Sequence, residues 1–449
     1  MKNLCCGLLL FTSSMASADF FSALDAYENK QYPQAFTEFK PLAEIGEARS
    51  QSNLGVMYYH GQHVSKDINL AYAWARLGAE NESATDTQKN VFKAISKEVK
   101  DKAAAEAAFQ TLAAKYSGKA LLNSLYPVLV EPSKKSSFQA KPIRIVEPKY
   151  PRKAAMEGIA GWVKLSFDLD KKGNPRNIRI KESFPSKIFN KGTMKAVSRW
   201  RFEPRLNKKG QAIEALNIAY TLSYNLSNHS IISDEYYADI STKAYSGDPN
   251  SQLILGLLHE SFPNDVKKKE NPTEWYLKAA RQGVPTAQFK LGESLIYGKG
   301  CASDKEKGID WLTRAASSHQ SDAKELLAGL AAQNKSKASH LQAAQYIKEL
   351  KEMTPTSKIR FAWLFATSPF SEVTNPQKAI ELVESISRRD YRNEVTKYEI
   401  LAAAHAAMGD FDKAVDYQED ALDEAEDLDF SAEEIKQRLT AYQQNKRWF

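Results

Sequence analysis

The sequence predicts a mainly α-helical repeat protein, a solenoid of helix pairs, interrupted by one small α+β domain. The first observation is self-similarity at a fixed period, since Trp275 and Trp311 lie 36 positions apart and Gly256 and Gly292 have the same spacing. A period in the mid-thirties is typical of helix-turn-helix repeats. The second observation is a block from 141 to 228 in which apolar and polar residues alternate at period two, as they do in strands.

The first 18 residues are predicted to be a secretory signal peptide rather than part of the fold. Lys2 supplies a positive charge, Leu4–Phe11 is a short apolar run, and Ala16-Ser17-Ala18 places small residues where signal peptidase cleaves. The apolar run is far shorter than the ~20 residues that cross a bilayer, and no later stretch approaches that length. We therefore expect a periplasmic protein without an integral membrane span.

Cysteine usage agrees with this organisation. Cys5 and Cys6 lie within the predicted signal peptide, so Cys301 remains as the lone thiol of the exported chain. An intramolecular disulfide is then impossible, and we expect stability to come from helix packing.

Three repeats share an internal phase in which a glycine precedes a tryptophan by 19 positions: Gly55 and Trp74, Gly256 and Trp275, and Gly292 and Trp311. Small residues let two helices approach closely, while tryptophan fills the groove between neighbouring units. The stretches Ala48–Val64 and Ala287–Gly300 resemble the Sel-one-like class of tetratricopeptide repeats. Around Gly256 the repeat is degenerate, because a Lys/Glu/Pro-rich loop from Ser261 to Pro272 replaces the usual one.

The remaining pattern predicts five segments. They are the signal peptide at 1–18, helical repeats at 19–140, the inserted domain at 141–228, Sel-one-like repeats at 229–331 and C-terminal repeats at 332–449 that resemble plain tetratricopeptide repeats. In the last segment Gly409 and Asp410 predict a tight turn, with Asp410 capping the following helix. The acidic run from Asp416 to Glu434 predicts a solvated helix face, with a contact to the basic insertion as the alternative.

The inserted domain is predicted to place one helix against a small antiparallel sheet. Val163–Leu169 alternates as a strand with one buried face, Lys171–Asn174 predicts a turn, and Ile178–Ile180 continues as a second strand. Helical spacing follows over Ile188–Trp200, and Leu216–Leu226 alternates as a final strand. The block has about 85 residues, which is enough to fold alone.

Charge is concentrated in this insertion. Residues 134–226 hold 21 Lys/Arg and 7 Asp/Glu, a net charge of +14, whereas the rest of the chain has a net charge of −7. Such asymmetry predicts an anionic partner, while the alternative is that the charge only keeps a small domain soluble.

The insertion resembles the TonB C-terminal domain, and the match covers about a fifth of the chain. It runs in order through Tyr150, Pro151, Ala154, Gly158, Gly161, Val163, Phe167, Gly173, Ala196, Val197, Trp200, Phe202 and Pro204. The resemblance implies a domain that contacts outer-membrane receptors by pairing an edge strand with a short receptor segment. Backbone groups on an open edge bind an extended peptide with little regard to its side chains. Our candidate edge is the last strand, with Leu216, Ile218, Tyr220, Leu222 and Tyr224 as partner-binding residues.

The sequence departs from that family in its attachment. An energy transducer of the family is held in the inner membrane by an N-terminal helix and crosses the periplasm on a proline-rich spacer. Here a cleavable signal and a short linker, 128–140, are predicted instead. The resemblance therefore supports binding more than force transmission.

No pattern in the chain predicts an enzyme, a cofactor or a metal. His60 and His63 lie three apart in a predicted inter-helix loop without a third ligand at fixed spacing, so we interpret them as structural. The run Gly298-x-Gly300-x-x-Ser303 lacks the last glycine of a dinucleotide fingerprint and follows a helix, so we interpret it as a repeat loop. Nucleic acid is not an expected partner of an exported protein.

The leading hypothesis is a non-enzymatic periplasmic adaptor whose repeats form a scaffold and whose TonB-like domain binds an extended segment of an envelope protein. The alternative is an accessory of TonB-dependent transport across the outer membrane, with outer-membrane receptors or transducer components as partners. A weaker alternative has the basic domain docking on peptidoglycan.

Overall fold

The computed structural model describes residues 19–131, 140–157, 159, 161–184, 187–206, 210, 212–213, 215–224, 234–262, 266, 268–387, 394–427 and 432–449. The predicted signal peptide lies outside this range. The chain divides into two compact units. The first unit comprises Met1–Pro132, Ala238–Glu260 and Lys269–Ala323, and the second comprises Ser133–Tyr237, Ser261–Lys268 and Lys324–Phe449.

Helices dominate the described chain, as the repeat period predicts. In chain order they are α1 (Phe20–Glu28), α2 (Tyr32–Glu44), α3 (Ala48–His60), α4 (Ile68–Glu80), α5 (Asp86–Glu98), α6 (Lys102–Tyr116), α7 (Gly118–Ser124), α8 (Arg152–Met156), α9 (Asn190–Val197), α10 (Asp234–Tyr245), α11 (Pro249–Ser261), α12 (Pro272–Arg281), α13 (Pro285–Tyr297), α14 (Lys305–Ser317), α15 (Ser321–Ala332), α16 (Lys337–Glu349), α17 (Pro355–Thr367), α18 (Pro376–Glu384), α19 (Val395–Met408), α20 (Phe411–Asp427) and α21 (Glu433–Gln443). Among the described residues no helix is long and apolar enough to cross a membrane.

Glycines let neighbouring helices of the first unit approach closely, as predicted. A Cβ on Gly55 of α3 would lie 2.9 Å from the Cβ of Ala75 on α4, and a Cβ on Gly292 of α13 would lie 3.0 Å from the carbonyl oxygen of Gly308 on α14. Side chains do not pack at such distances, so the helices require glycine there. The repeat tryptophans are buried: Trp74, Trp275 and Trp311.

Repeats that precede and follow the insertion in sequence pack together in the first unit. The Arg281 guanidinium, at the end of α12, donates to the carbonyl oxygen of Gly46 at 2.5 Å and to Asn81 Oδ1 at 2.9 Å, and it pairs with Glu82 at 2.7 Å. Arg281 is only 8% exposed. Since a buried guanidinium is costly without partners, these bonds hold the two sets of repeats in register.

The segment after α7 extends this packing. The Leu125 carbonyl accepts from Trp311 Nε1 at 3.0 Å. Leu129 then forms an antiparallel bridge with Cys301, and the Val130 N–H donates to the Gly300 carbonyl at 3.1 Å. The segment up to Val130 is therefore fixed on the later repeats of the first unit. The rest of the predicted linker, 132–139, lies outside the described residues.

The second unit contains the predicted small sheet. Its strands are β1 (Pro142–Arg144), β2 (Gly161–Leu169), β3 (Pro175–Phe184), β4 (Arg201–Phe202), β5 (Arg205–Leu206), β6 (Ala212–Ile213) and β7 (Ala215–Tyr224). The main antiparallel sheet has the order β3-β2-β7, while β1 pairs with β4 and β5 with β6. The predicted helix is present but shorter, because Lys187–Phe189 forms a 3-10 turn before α9.

The expectation of one buried face on the first strand is wrong. Val163, Leu165, Phe167 and Leu169 of β2 do face the core, but Trp162, Ser166 and Asp168 on the other face are also buried. The physical reason is that β2 is the central strand and its second face is covered. Trp162 stacks on Phe184 at 4.4 Å and meets the edge of Phe262 at 5.6 Å, and Asp168 pairs with Arg179 at 3.5 Å.

The C-terminal helices contribute a separate core to the second unit. It is built around the fully buried Phe361 and Ala362 of α17, with apolar residues of α16, α18 and α19. The predicted turn is confirmed, since Gly409 has φ +82° and the Asp410 carboxylate accepts from the Lys413 N–H at 3.4 Å. The solvated acidic face is confirmed for α20, where Asp416, Glu419, Asp420 and Asp423 are exposed.

Candidate partner-binding strand

The strand β7 lies at one edge of the main sheet. Its register against β2 pairs Ile218 with Phe167, Tyr220 with Leu165, and Leu222 with Val163. Among the residues that the structure describes, β2 is the one strand that pairs with β7. In an antiparallel ladder only alternate residues bond to the neighbouring strand, so the other backbone N–H and C=O groups of β7 point away from β2.

The side chains chosen from the sequence face the domain's own core rather than a partner. Ile218 and Tyr224 are buried, and Tyr220 and Leu222 are half-buried against the core around Trp200. The side chain of Leu216 lies outside the described part of the strand. Pairing at this edge would therefore rely on backbone groups.

The opposite face of β7 carries smaller and more polar side chains. Ala219 is exposed, and Thr221 and Ser223 are half-buried. An added strand would contact these three side chains on this face of β7. They were not among the partner-binding residues predicted from the sequence. Alternation of side chains along a strand was the signal that could have identified them.

Trp200 positions the edge strand. Its ring is fully buried, contacts Tyr220 edge-on at 4.8 Å and lies 6.1 Å from Phe167. The indole Nε1 donates to the Val146 carbonyl at 2.9 Å, which ties the entering chain to the end of α9. Phe202, two residues later, is buried in the same core.

The Tyr-Pro opening fixes the other end of β7. The Tyr150 hydroxyl donates to the Ile159 carbonyl at 2.6 Å, and its ring meets Tyr224 at 5.8 Å. Tyr224 stacks on Phe189 at 4.2 Å, and its hydroxyl lies 2.8 Å from Thr193 Oγ1. Burial raises the pKa of Tyr224 above its usual value.

The remaining motif residues act through the backbone. A Cβ on Gly161 would lie 2.0 Å from the Phe184 carbonyl oxygen, and a Cβ on Gly173, where φ is +75°, would lie 1.9 Å from that of Phe202. Pro151 precedes α8 as its N-cap, and Pro204 follows β4. Gly158 lies outside the described residues.

Part of the positive charge of the domain lies along one face of a helix. On α9 and the turn after it, Lys191, Lys195 and Arg199 are exposed at four-residue spacing and form no ion pair within the described structure. Residues at this spacing share one helix face. The domain thus presents a cationic helical layer in addition to the edge strand.

The residues considered for chemistry lie at the ends of repeat helices and in the loops after them, with His60 ending α3 and His63 in the following loop. His60 and His63 are both exposed, with the His63 ring 5.4 Å from Phe36. Within the described residues no three His, Cys, Asp or Glu side chains gather as a metal site would require. Gly298 and Gly300 have φ +66° and +67° in the loop after α13, as predicted for a repeat loop.

Comparison with known proteins identifies the domains. Residues 146–224 match the family described as Gram-negative bacterial TonB protein C-terminal, and residues 48–83, 273–284 and 285–319 match the Sel1 repeat. The chain carries a TonB C-terminal domain and Sel1 repeats. This confirms the predicted fold class, mainly helical repeats with an inserted small α+β domain.

Individual relatives match only in part. The protein TonB of Pseudomonas aeruginosa is 42% identical over 67 residues, 15% of this chain and 20% of that protein. The protein TonB of Yersinia enterocolitica is 33% identical over 72 residues, 16% of this chain and 28% of that protein. The chain thus spans between a fifth and a third of the length of these curated relatives. A solved Sel1 repeat protein from Oxalobacter formigenes covers 81% of this chain and 97% of its own, with 13% identity and a TM-score of 0.29.

The two matched families are non-catalytic interaction domains.

Proposed function

We propose that the protein is a non-enzymatic periplasmic adaptor that binds an extended segment of an envelope protein along β7. The observation that carries the proposal is the place of β7 at the edge of the sheet, next to β2. An extended segment added there continues the sheet through backbone hydrogen bonds. The repeats of the first unit serve as the scaffold that presents the domain.

The faces of β7 define the segment that fits. Half-buried Tyr220 and Leu222 leave part of their apolar surface at the edge, so the partner's side chains on that face should be apolar. Ala219 and Thr221 on the other face favour small or polar partner residues. The partner segment is therefore expected to alternate apolar and polar residues, and the net positive charge of the domain favours acidic ones.

A proline scan of β7 tests the proposal. Adjacent N–H groups point to opposite edges, so Tyr220→Pro and Thr221→Pro remove one donor facing β2 and one facing outward. The variant that removes the outward-facing donor should retain the fold, as measured by circular dichroism and thermal unfolding. It should nevertheless fail to capture envelope proteins from a periplasmic extract. Tyr220→Phe is the control and should capture normally. An unchanged set of captured proteins with both folded proline variants would overturn the proposal.

The match to TonB favours a second candidate, an accessory role in TonB-dependent uptake across the outer membrane. Deletion of the gene should then slow uptake of at least one receptor substrate, and the protein should co-purify with transducer components. Normal uptake of every substrate tested would exclude this role.

The exposed cations of α9 favour a third candidate, docking on the anionic cell wall. The protein should then sediment with purified peptidoglycan at low salt and be released at high salt, because screening weakens exposed charge interactions. Absence of sedimentation at low salt would exclude it.

A further inference from the structure

A cavity of about 380 Å³ opens among the C-terminal helices of the second unit, in a region that the edge-strand proposal does not use. Ile359, Trp363 and Leu364 of α17 give it an apolar lining. Its polar lining includes Arg360 on the same helix and Lys335 on the turn between α15 and α16. The volume is at the lower end of the range for ligand pockets, ~300–1,000 Å³.

The charge of the cavity is one-sided. Arg360 and Lys335 both line it, and none of the lining residues that the structure describes is Asp or Glu. Within the described structure neither side chain forms an ion pair. The carboxylate of Glu399, on the adjoining helix α19, is instead paired with Arg438. Among the described residues, both cavity cations therefore lack a compensating anion.

The position of the guanidinium depends on a glycine. A Cβ on Gly329 of α15 would lie 2.3 Å from Arg360 Nη1 and 3.5 Å from its Cζ. Glycine inside a helix costs about 1 kcal/mol relative to alanine, and here it leaves the space that the guanidinium occupies. The half-buried Arg360 is thereby held against α15 rather than extended into solvent.

His340 adds polarity to the cavity without adding charge. Its Nδ1 lies 3.0 Å from Ser368 Oγ, and burial lowers the pKa of the imidazole below its usual value. The ring is therefore neutral at pH 7. The positive charge of the cavity lies with Arg360 and Lys335.

We propose that this cavity binds an acidic peptide segment, with an Asp or Glu carboxylate between Lys335 and Arg360 and a neighbouring apolar side chain on Trp363. Charge complementarity supplies the argument, since a carboxylate can pair with two cations that have no ion-pair partner among the described residues. The adjacent apolar lining can contact one apolar side chain of the peptide next to that carboxylate. The site is separate from β7 and gives the adaptor a second peptide-binding surface.

Fluorine NMR of the full chain labelled with 5-fluorotryptophan tests the site, with the Trp363 signal assigned by Trp363→Phe. The probe is the capped peptide acetyl-Leu-Asp-Leu-amide, and the comparison is the same peptide with Asn in place of Asp. The acidic peptide should shift the Trp363 signal and bind about tenfold or more tightly than the Asn peptide, as expected for hydrogen bonds to a charged group.

Three variants separate this site from general charge effects. Arg360→Gln should abolish the preference for Asp over Asn, and Gly329→Ala should weaken it because the methyl group displaces the guanidinium. Lys358→Gln on the same helix is the control, since that ammonium donates to Ser385 Oγ at 2.9 Å and does not line the cavity. Equal binding of the two peptides, no shift of the Trp363 signal, or an equal loss in Lys358→Gln would overturn the proposal.

Discussion

Replacement of Trp200 should loosen the edge strand while the repeats remain protected. The indole is fully buried, contacts Tyr220 and Phe167, and donates its N–H to the Val146 carbonyl. Trp200→Phe removes the hydrogen bond and part of the ring, a loss of about 1–2 kcal/mol. Trp200→Ala also leaves a cavity, and comparable substitutions cost about 3–5 kcal/mol.

Hydrogen exchange of the whole chain, followed by mass spectrometry, measures this loss where it occurs. Each ~1.4 kcal/mol lowers amide protection tenfold, so peptides covering β7 should exchange about 5- to 30-fold faster in Trp200→Phe and about 100-fold or more faster in Trp200→Ala. Trp275→Phe is the matched control, because that buried indole donates to Glu270 in the first unit. It should accelerate exchange in α12 but not in β7. Unchanged β7 exchange in Trp200→Ala would refute the reasoning.

Three further predictions follow from single residues. Gly173→Ala should lower the free energy of unfolding by several kcal/mol, because φ is positive and the methyl group would meet the Phe202 carbonyl. Gly409→Ala is the control and should cost only about 1 kcal/mol, since φ is positive there but no described atom lies within 4 Å of the added Cβ. Equal shifts of the thermal unfolding midpoint in the two variants would contradict this prediction. Arg281→Met should destabilise the first unit by about 2–3 kcal/mol in urea unfolding, because the Gly46 carbonyl and Asn81 Oδ1 lose their donor. An unchanged urea midpoint of the first unit would contradict this prediction. Burial raises the pKa of the Cys301 thiol to about 11. At pH 8 this thiol should therefore react with a disulfide reagent on the order of 100-fold more slowly than an ordinary protein thiol, because the thiolate is the reactive form. Rapid reaction of Cys301 in the native protein would refute the prediction.

Local patterns predicted most of the fold. Alternation at Val163–Leu169 predicted a strand, helical spacing up to Trp200 predicted the packed helix, and the spacing shared by Gly55 and Trp74 predicted the repeat unit. Each of these signals lies within a few turns or strands of the chain. Their physical cause is the repeat of one buried face along a regular element.

Features that depend on distant partners could not be predicted. Phe262 covers the second face of β2 by contacting Trp162, which is 100 positions earlier in the sequence. The sequence around Phe262 is mostly polar, so it did not predict this contact. The bonds from Arg281 to Gly46 and Asn81 likewise join residues 235 and 200 positions apart. Period-two alternation also could not tell whether a strand is central or at an edge. It therefore predicted the last strand but not that β2 is its one neighbour among the described residues.

The inward orientation of the chosen β7 residues changes what should be tested. Tyr220 and Leu222 pack toward the core, so substitution of their side chains would alter packing and binding together. Ala219 is exposed on the other face, which makes it the position where a probe reports on the partner with least disturbance.

Site-specific photocross-linking in living cells tests the central claim most directly. A benzoylphenylalanine at Ala219 on β7 should cross-link to an envelope protein, whereas the same residue at exposed Lys195 on α9 should not capture that protein. Thr221→Pro or Tyr220→Pro, whichever removes the outward donor, should abolish the Ala219 adduct. Capture of the same partner from Lys195 but not from Ala219 would show that the helical layer, and not the edge strand, binds it.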